Sequence, residues 1–234
     1  MKNGFPALGV VAGIAVMAVV AQGGVVYGTP DAEDTTVRQN GSMAWSGNTP
    51  IDVGFYDTSL GMFAGIFVFA IPDLGGETIN TADLTLTVSD SAWGTSLSAD
   101  LYGVRWSASN VVAASDYSGG TLLQEAFAVK VSGNPAPANT RTVSTDDSGD
   151  INLAMWLAAA IADGATAGDY VFLRVSNNEE LVEGANSFLE FATANDSSGV
   201  PQLTIETVPE PATMALLGLG LAGLVARKRR NRKA

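Results

Sequence analysis

The sequence predicts an all-β fold: a jelly-roll-like antiparallel β-sandwich with one short helix, set between an N-terminal signal helix and a C-terminal transmembrane helix. Three features of the 234 residues predict it. Ten short β-branched or alternating segments are punctuated by Gly, Asn, Asp and Pro, as in a sandwich. One Ala-rich segment breaks that pattern. Each end of the chain carries an apolar run with basic residues beside it.

At the start, Lys2 precedes the apolar run Ala7 to Ala21, and Gln22-Gly23-Gly24 follows. A positive start, an apolar centre and a small-residue exit are the parts of a secretory signal peptide. Residues 1–28 are read as that signal, with cleavage after Ala21 or, alternatively, after Gly28. An uncleaved membrane anchor is the competing reading.

The body, residues 29–207, has the size of one domain. Its strand candidates are Thr35 to Arg38, Ile51 to Tyr56, Met62 to Ile71, Ala82 to Ser89, Leu97 to Trp106, Leu122 to Val131, Arg141 to Ser144, Tyr170 to Ser176, Phe188 to Thr193 and Gln202 to Thr207. In Leu84-Thr85-Leu86-Thr87-Val88 the apolar residues share one face and the threonines the other, which marks a half-buried strand. Met62 to Ile71 is apolar almost throughout and predicts a central strand covered on both faces. Ile151 to Ala162 predicts a helix, with Asp146, Asp147, Ser148 and Asp150 before it as cap candidates and Gly164 after it. Ile151, Met155, Leu157 and Ile161 are its expected contact face, lying against one end of the sandwich.

The final segment, residues 208–234, reads Val-Pro-Glu-Pro-Ala-Thr, then the apolar run Met214 to Ala226, then Arg-Lys-Arg-Arg-Asn-Arg-Lys-Ala. The apolar run is 13 residues, about 20 Å as a helix, against a hydrocarbon core of roughly 30 Å, so it could only just span. Six basic residues follow: Arg227, Lys228, Arg229, Arg230, Arg232 and Lys233. They stay cytoplasmic by the positive-inside rule and stall the chain with its body outside. A membrane-surface helix or nucleic-acid tail would interleave such charges with apolar residues, whereas here they are stacked after them.

Pro209-Glu210-Pro211, the Gly/Leu-rich run and the basic cluster resemble a PEP-CTERM sorting domain of exopolysaccharide-making Gram-negative bacteria. The resemblance implies recognition of the Pro-Glu-Pro motif by an exosortase-type membrane protease. It further implies an inner-membrane intermediate, in transient contact with the membrane, and then release or transfer to the outer envelope or extracellular matrix. Glu210 between two prolines would sit in a rigid, extended segment suited to a protease groove.

Of 24 acidic residues only Glu210 lies outside the body, against five basic ones within it (Arg38, Arg105, Lys130, Arg141, Arg174). The body therefore carries about −18, more than the whole-chain −12, and repels nucleic acid, which is excluded as a partner. The chain has no cysteine and no histidine. Disulfides, Cys and His nucleophiles, Ser-His-Asp triads, the usual zinc sites and His or Cys haem ligation are thereby excluded.

A second resemblance runs from about residue 31 to 207. Asp34-Thr35-Thr36-Val37-Arg38, Ile51-Asp52-Val53-Gly54, Phe67-Val68-Phe69-Ala70-Ile71-Pro72, Ile79-Asn80-Thr81-Ala82-Asp83-Leu84 and Pro201-Gln202-Leu203-Thr204-Ile205 are similar to the DNRLRE domain family. That similarity implies a jelly-roll sandwich related to carbohydrate-binding modules. The chain departs from the pattern at Gly65 and Ile66, where the family carries an Arg, and at Phe69-Ala70-Ile71, where it carries Phe-Asp-Leu. The buried Arg–Asp pairing implied there is missing.

Trp45 and Trp93 are the candidate glycan-binding residues, since indole faces stack on the CH faces of sugar rings. Both are expected in loops, and a loop tryptophan can equally fold back as a lid on the core. Trp106 and Trp156 are expected in the core. Asp146, Asp147 and Asp150 are weak candidates for a structural calcium, which wants six to eight oxygens; solvated charge and helix capping explain them equally well. No other cofactor is expected. Paired carboxylates are the remaining apparatus for glycoside hydrolysis, and no pair stands out by spacing or setting. The expected work is structural or adhesive, with exopolysaccharide as a candidate partner. The competing class is a polysaccharide-active enzyme or its accessory module.

Overall fold

Alternating residues become strands almost wherever the sequence shows them. The structure, a computed structural model, describes residues 24–40, 42–46, 50–55, 61–91, 96–130, 141–177, 187–196, 199–209 and 218–223, with the main chain alone at 43–46, 90–91 and 130. In chain order the elements are β1 (Val25–Pro30), β2 (Thr35–Arg38), β3 (Met43–Ser46), β4 (Ile51–Phe55), β5 (Met62–Ala70), β6 (Thr78–Ser91) and β7 (Leu97–Ser107). After a 3-10 turn at Ala114–Tyr117 come β8 (Thr121–Lys130), β9 (Arg141–Ser144), α1 (Asp147–Ala162), β10 (Tyr170–Asn177), β11 (Ser187–Phe191) and β12 (Gln202–Val208). The chain is all-β with one helix, as predicted.

The strands form one hydrogen-bonded network in the order β1-β12-β6-β11-β4-β5-β10-β7-β8, with β2 joining β5 and β3, and β9 joining β6. Its pairings are antiparallel. β1 also pairs with β5, through Thr29–Ala70 and Pro30–Phe69, so the path closes on itself. The β4–β5 join is equally short, Gly54–Phe63 and Phe55–Met62. Such brief joins are corners, where a strand passes from one layer to the other. The main core draws on β4, β5, β6, β7, β10, β11 and β12, among them Ile51, Phe67, Leu84, Leu101, Leu173, Phe191 and Leu203, and a second, smaller cluster gathers Val37, Ile66, Val68, Val112 and Phe172 from the alternate positions of β5 and β10 and their neighbours.

β5 is the central strand its sequence predicts, buried at every position except its two ends. In β6, Leu84, Leu86 and Val88 enter the core as the alternation requires. β1 and β3 escape sequence reading. β1 follows directly on the apolar signal run, so its Val25-Val26 merges with that run, and β3 is four residues with no room for a period. Trp45 is thus in a strand and not in a loop. Cleavage after Ala21 would leave β1 whole; cleavage after Gly28 would remove most of it.

Gly65 is required by close packing. A Cβ there would stand 2.5 Å from Ile51 Cγ2 and 3.1 Å from Val53 Cγ2, so no side chain fits, least of all Arg. Arg105 and Asp116 form an ion pair in which the carboxylate is buried and the guanidinium partly exposed.

α1 starts four residues before the predicted Ile151, because Asp146 takes the cap position. Its carboxylate accepts from the N–H groups of Ser148 at 3.0 Å and Gly149 at 2.8 Å. The contact face keeps the expected Leu157, with Ile161 half-buried, but otherwise differs from expectation. Leu153, Ala154, Leu157 and Ala160 are buried, while Ile151 and Met155 are 54% and 63% exposed. Apolar residues surround this helix on nearly every side, so periodicity alone could not choose the face. Small residues won: alanines let the helix approach β6, β7 and β8 closely.

Among the described residues no helix is long and apolar enough to cross a membrane. Residues 218–223, inside the C-terminal apolar run, are helical. The N-terminal signal helix and the rest of the predicted transmembrane helix lie outside the described residues.

Candidate functional site

The two ends of the body meet at one edge. β1 and β12 run antiparallel with Val25 opposite Glu206, so the start of the first strand lies beside the end of the last. Thr207 clasps them: its N–H donates to Gly24 O at 2.9 Å, and its Oγ1 accepts from Gly24 N–H at 3.2 Å and contacts the Glu77 carboxylate. Thr78 Oγ1 donates to Val208 O at 3.1 Å. β12 ends at Val208, and the half-buried Pro209 is the next residue. The first proline of the sorting motif therefore abuts the fold with no linker. Glu210, Pro211 and the basic cluster at Arg227, Lys228, Arg229, Arg230, Arg232 and Lys233 lie outside the described residues.

An aromatic depression of about 300 Å³ opens between the end of β7 and the last turns of α1, lined by Arg105, Trp106, Trp156, Ala159, Ala160 and Asp163. The sequence placed both tryptophans in the core; instead each is half-buried at the rim of it. Trp156 lies flat on β7 because Gly103 leaves room for it. A Cβ at Gly103 would stand 2.3 Å from the Trp156 ring. Trp106 Nε1–H donates to Asp163 Oδ2 at 3.4 Å. Two indole surfaces with a carboxylate and a guanidinium at the margin can hold a ring with one apolar face and polar edges. The signal available in the sequence was a glycine inside a strand, which often marks a close approach. Of the earlier candidates, Trp93 lies outside the described residues, as does the Trp45 side chain.

Arg105 is held rigidly at this margin. Its Nε and Nη2 donate to the two Asp116 oxygens at 2.7 and 2.9 Å, and Nη2 also reaches Val111 O at 2.9 Å. Its guanidinium stacks on Phe172, 3.6 Å from the ring centroid. Asp116, on the 3-10 turn, also accepts from Ala113 N–H at 2.8 Å. Arg174, buried, lies over Tyr102 at 4.4 Å and donates to Asp116 O at 3.4 Å. Burial pushes the Arg174 guanidinium below its usual range, against the opposing pull of Tyr102, Tyr117 and Asp116.

Two of the calcium candidates, Asp146 and Asp150, hold structural hydrogen bonds. Asp146 caps α1, and Asp150 accepts from Thr145 Oγ1. Burial raises the Asp150 pKa, a shift the Thr145 bond opposes and the neighbouring Asp83, Asp147 and Asp146 add to. Among the described side chains no group of three or more carboxylates is placed to hold a metal ion.

Two other carboxylates are strongly perturbed. Asp34, 1% exposed, accepts from Val68 N–H at 2.8 Å and Ala194 N–H at 3.1 Å and ties β2, β5 and the segment after β11 together. Burial pushes its pKa up to about 7 despite those bonds. Asp52 in β4 is also raised to about 7, by burial first and by the facing Glu190 second.

Residues 207–230 match the PEP-CTERM protein-sorting motif. No curated protein is a significant match to the chain. The motif makes the chain an exported protein sorted by an exosortase-type system through a membrane-anchored intermediate.

Proposed function

We propose that this chain is a structural or adhesive protein of the outer envelope or extracellular matrix, and that it binds glycan without altering it. The observation that carries the first part is the sorting motif at residues 207–230, set directly on the last strand. The fold is a body whose two ends leave from one edge, as suits a domain carried between an N-terminal export signal and a C-terminal membrane segment. Once both are removed, the strongly acidic body stays soluble by self-repulsion.

Glycan binding is supported by the Trp106–Trp156 depression, sized for one sugar ring, with Asp163 and Arg105 at its margin to meet hydroxyls. Trp45 and Trp93 remain candidates for further contacts along a chain. Among the described lining residues only Asp163 is a carboxylate, whereas glycoside hydrolysis needs a flanking pair.

Two experiments test this. Replacing Pro209, Glu210 and Pro211 by alanine should leave the precursor in the inner membrane, seen by fractionation and mass spectrometry; normal delivery would refute sorting through the motif. On a glycan array, Trp106→Ala and Trp156→Ala should lose binding that the parent shows. A reducing-sugar assay on bacterial exopolysaccharide should stay flat, and product release would favour the enzyme reading.

A further inference from the structure

The aromatic depression between α1 and β7 lies at the negative end of a helix. α1 runs for 16 residues, and its last turn carries no basic residue. The unpaired carbonyls at such an end act as roughly half a negative charge. Asp163 takes the cap position there. That is the wrong sign for the place, since a cation and not a carboxylate stabilises a helix C-terminus. Asp163 is exposed, lines the depression, and among the described residues its carboxylate accepts from Trp106 Nε1–H alone, at 3.4 Å. Helix stability gives no reason for a carboxylate here. A ligand does.

Arg105 also touches the depression, but its charge is already met. Both Asp116 oxygens and Val111 O hold its guanidinium, which is stacked on Phe172. Register draws it that way: Arg105 stands opposite Phe172 of the second cluster, whereas Trp106 stands opposite Val171 of the main core. The depression therefore offers two indole surfaces, two alanines, a carboxylate that no basic residue among the described ones neutralises, and the negative end of a helix. Indole faces attract a cation through the ring quadrupole, and a strongly acidic body concentrates cations around itself. All of these features favour a positive charge. An anionic sugar would meet the same features as repulsion.

We propose that the depression selects glycan bearing free amino groups: a hexosamine ring whose apolar face lies on an indole and whose ammonium meets Asp163. This rests on the glycan-binding reading above and narrows it to a ligand class. Acetylation of that amine removes the charge, and a uronic acid replaces it by the opposite one, so both kinds of ring bind more weakly.

The test uses the full-length chain in detergent and trisaccharides of glucosamine, N-acetylglucosamine and glucose in the same β-linkage, which differ only in the substituent at the carbon bearing the amine. Choline chloride, an ammonium without a sugar, runs in parallel. At about pH 6, calorimetry should show the glucosamine trimer bound at least about tenfold more tightly than the other two sugars and than choline. That preference should shrink as sodium chloride rises from about 20 to 300 mM. Asp163→Asn should bring the three sugars to within about twofold of one another, while melting no lower than the parent, because it removes the unfavourable charge from the helix end. Trp156→Ala should lose all three. Equal or tighter binding of the glucose or N-acetylglucosamine trimer overturns the amino-sugar assignment and leaves glycan binding standing, whereas absence of any sugar binding overturns both. A preference unchanged in Asp163→Asn would assign it to the acidic surface at large and refute the site. Choline bound as tightly as the glucosamine trimer would refute recognition of a sugar.

Discussion

The pair Arg105–Asp116 should be lopsided, because its partners differ in access to water. The Asp116 side chain is 2% exposed and the Arg105 side chain 30%. Arg105→Ala strands a buried carboxylate with Ala113 N–H as its remaining side-chain partner, and breaking a buried pair in this way costs about 3–5 kcal/mol. It also removes the stacking on Phe172, about 0.5–1 kcal/mol more. Asp116→Ala leaves a guanidinium that can turn to solvent and keeps Val111 O, so its cost is about 1–3 kcal/mol. For a domain of this size each kcal/mol moves the melting temperature by about 2–4 °C. Thermal unfolding followed by tryptophan fluorescence should place Arg105→Ala well below Asp116→Ala, and both below the parent. The double variant should cost at least 1 kcal/mol less than the sum of the singles, as expected for contacting residues. Equal losses, the reverse order or strict additivity would refute the reasoning.

Asp34 ties stability to pH. Its folded pKa, about 7, exceeds the unfolded value of 3.8, so between those limits the native state holds a proton that the unfolded chain has released. Stability therefore falls as pH rises from about 4 to 7, by on the order of 3–4 kcal/mol from this group, read as a drop in urea midpoint that Asp34→Asn lessens and to which Asp52, raised likewise, adds. Gly103→Ala forces Trp156 off β7 and should cost about 1–3 kcal/mol, while abolishing any glycan binding in the depression; an array signal equal to the parent's would sink that assignment. Asp146→Ala removes the α1 cap and should lower stability by about 1 kcal/mol in urea unfolding, whereas loss of all structure would show the residue to be more than a cap.

Local physics made much of this protein legible. Alternation fixed which residues of Leu84 to Val88 face inward, the unbroken apolar run of Met62 to Ile71 declared a central strand, and the carboxylates before Ile151 announced a helix start. The order of motif, apolar run and basic cluster disclosed the sorting signal, because each part is a contiguous segment with its own chemistry. Absence of cysteine and histidine excluded whole classes of site by composition alone.

Tertiary structure decided whatever depends on residues far apart in the chain. Which face of α1 is buried follows from the surface it meets, and Gly103 acquires meaning only because Trp156, fifty-three positions later, needs the space. Asp52 and Glu190 are ordinary surface-type residues until strand register sets them face to face. Nor could periodicity report that Val25 would pair with Glu206 and bring both chain ends to one edge. Periodicity and composition record what a segment can bury or expose, whereas pairing and close approach are settled by the one arrangement that fills the core and satisfies the backbone at once.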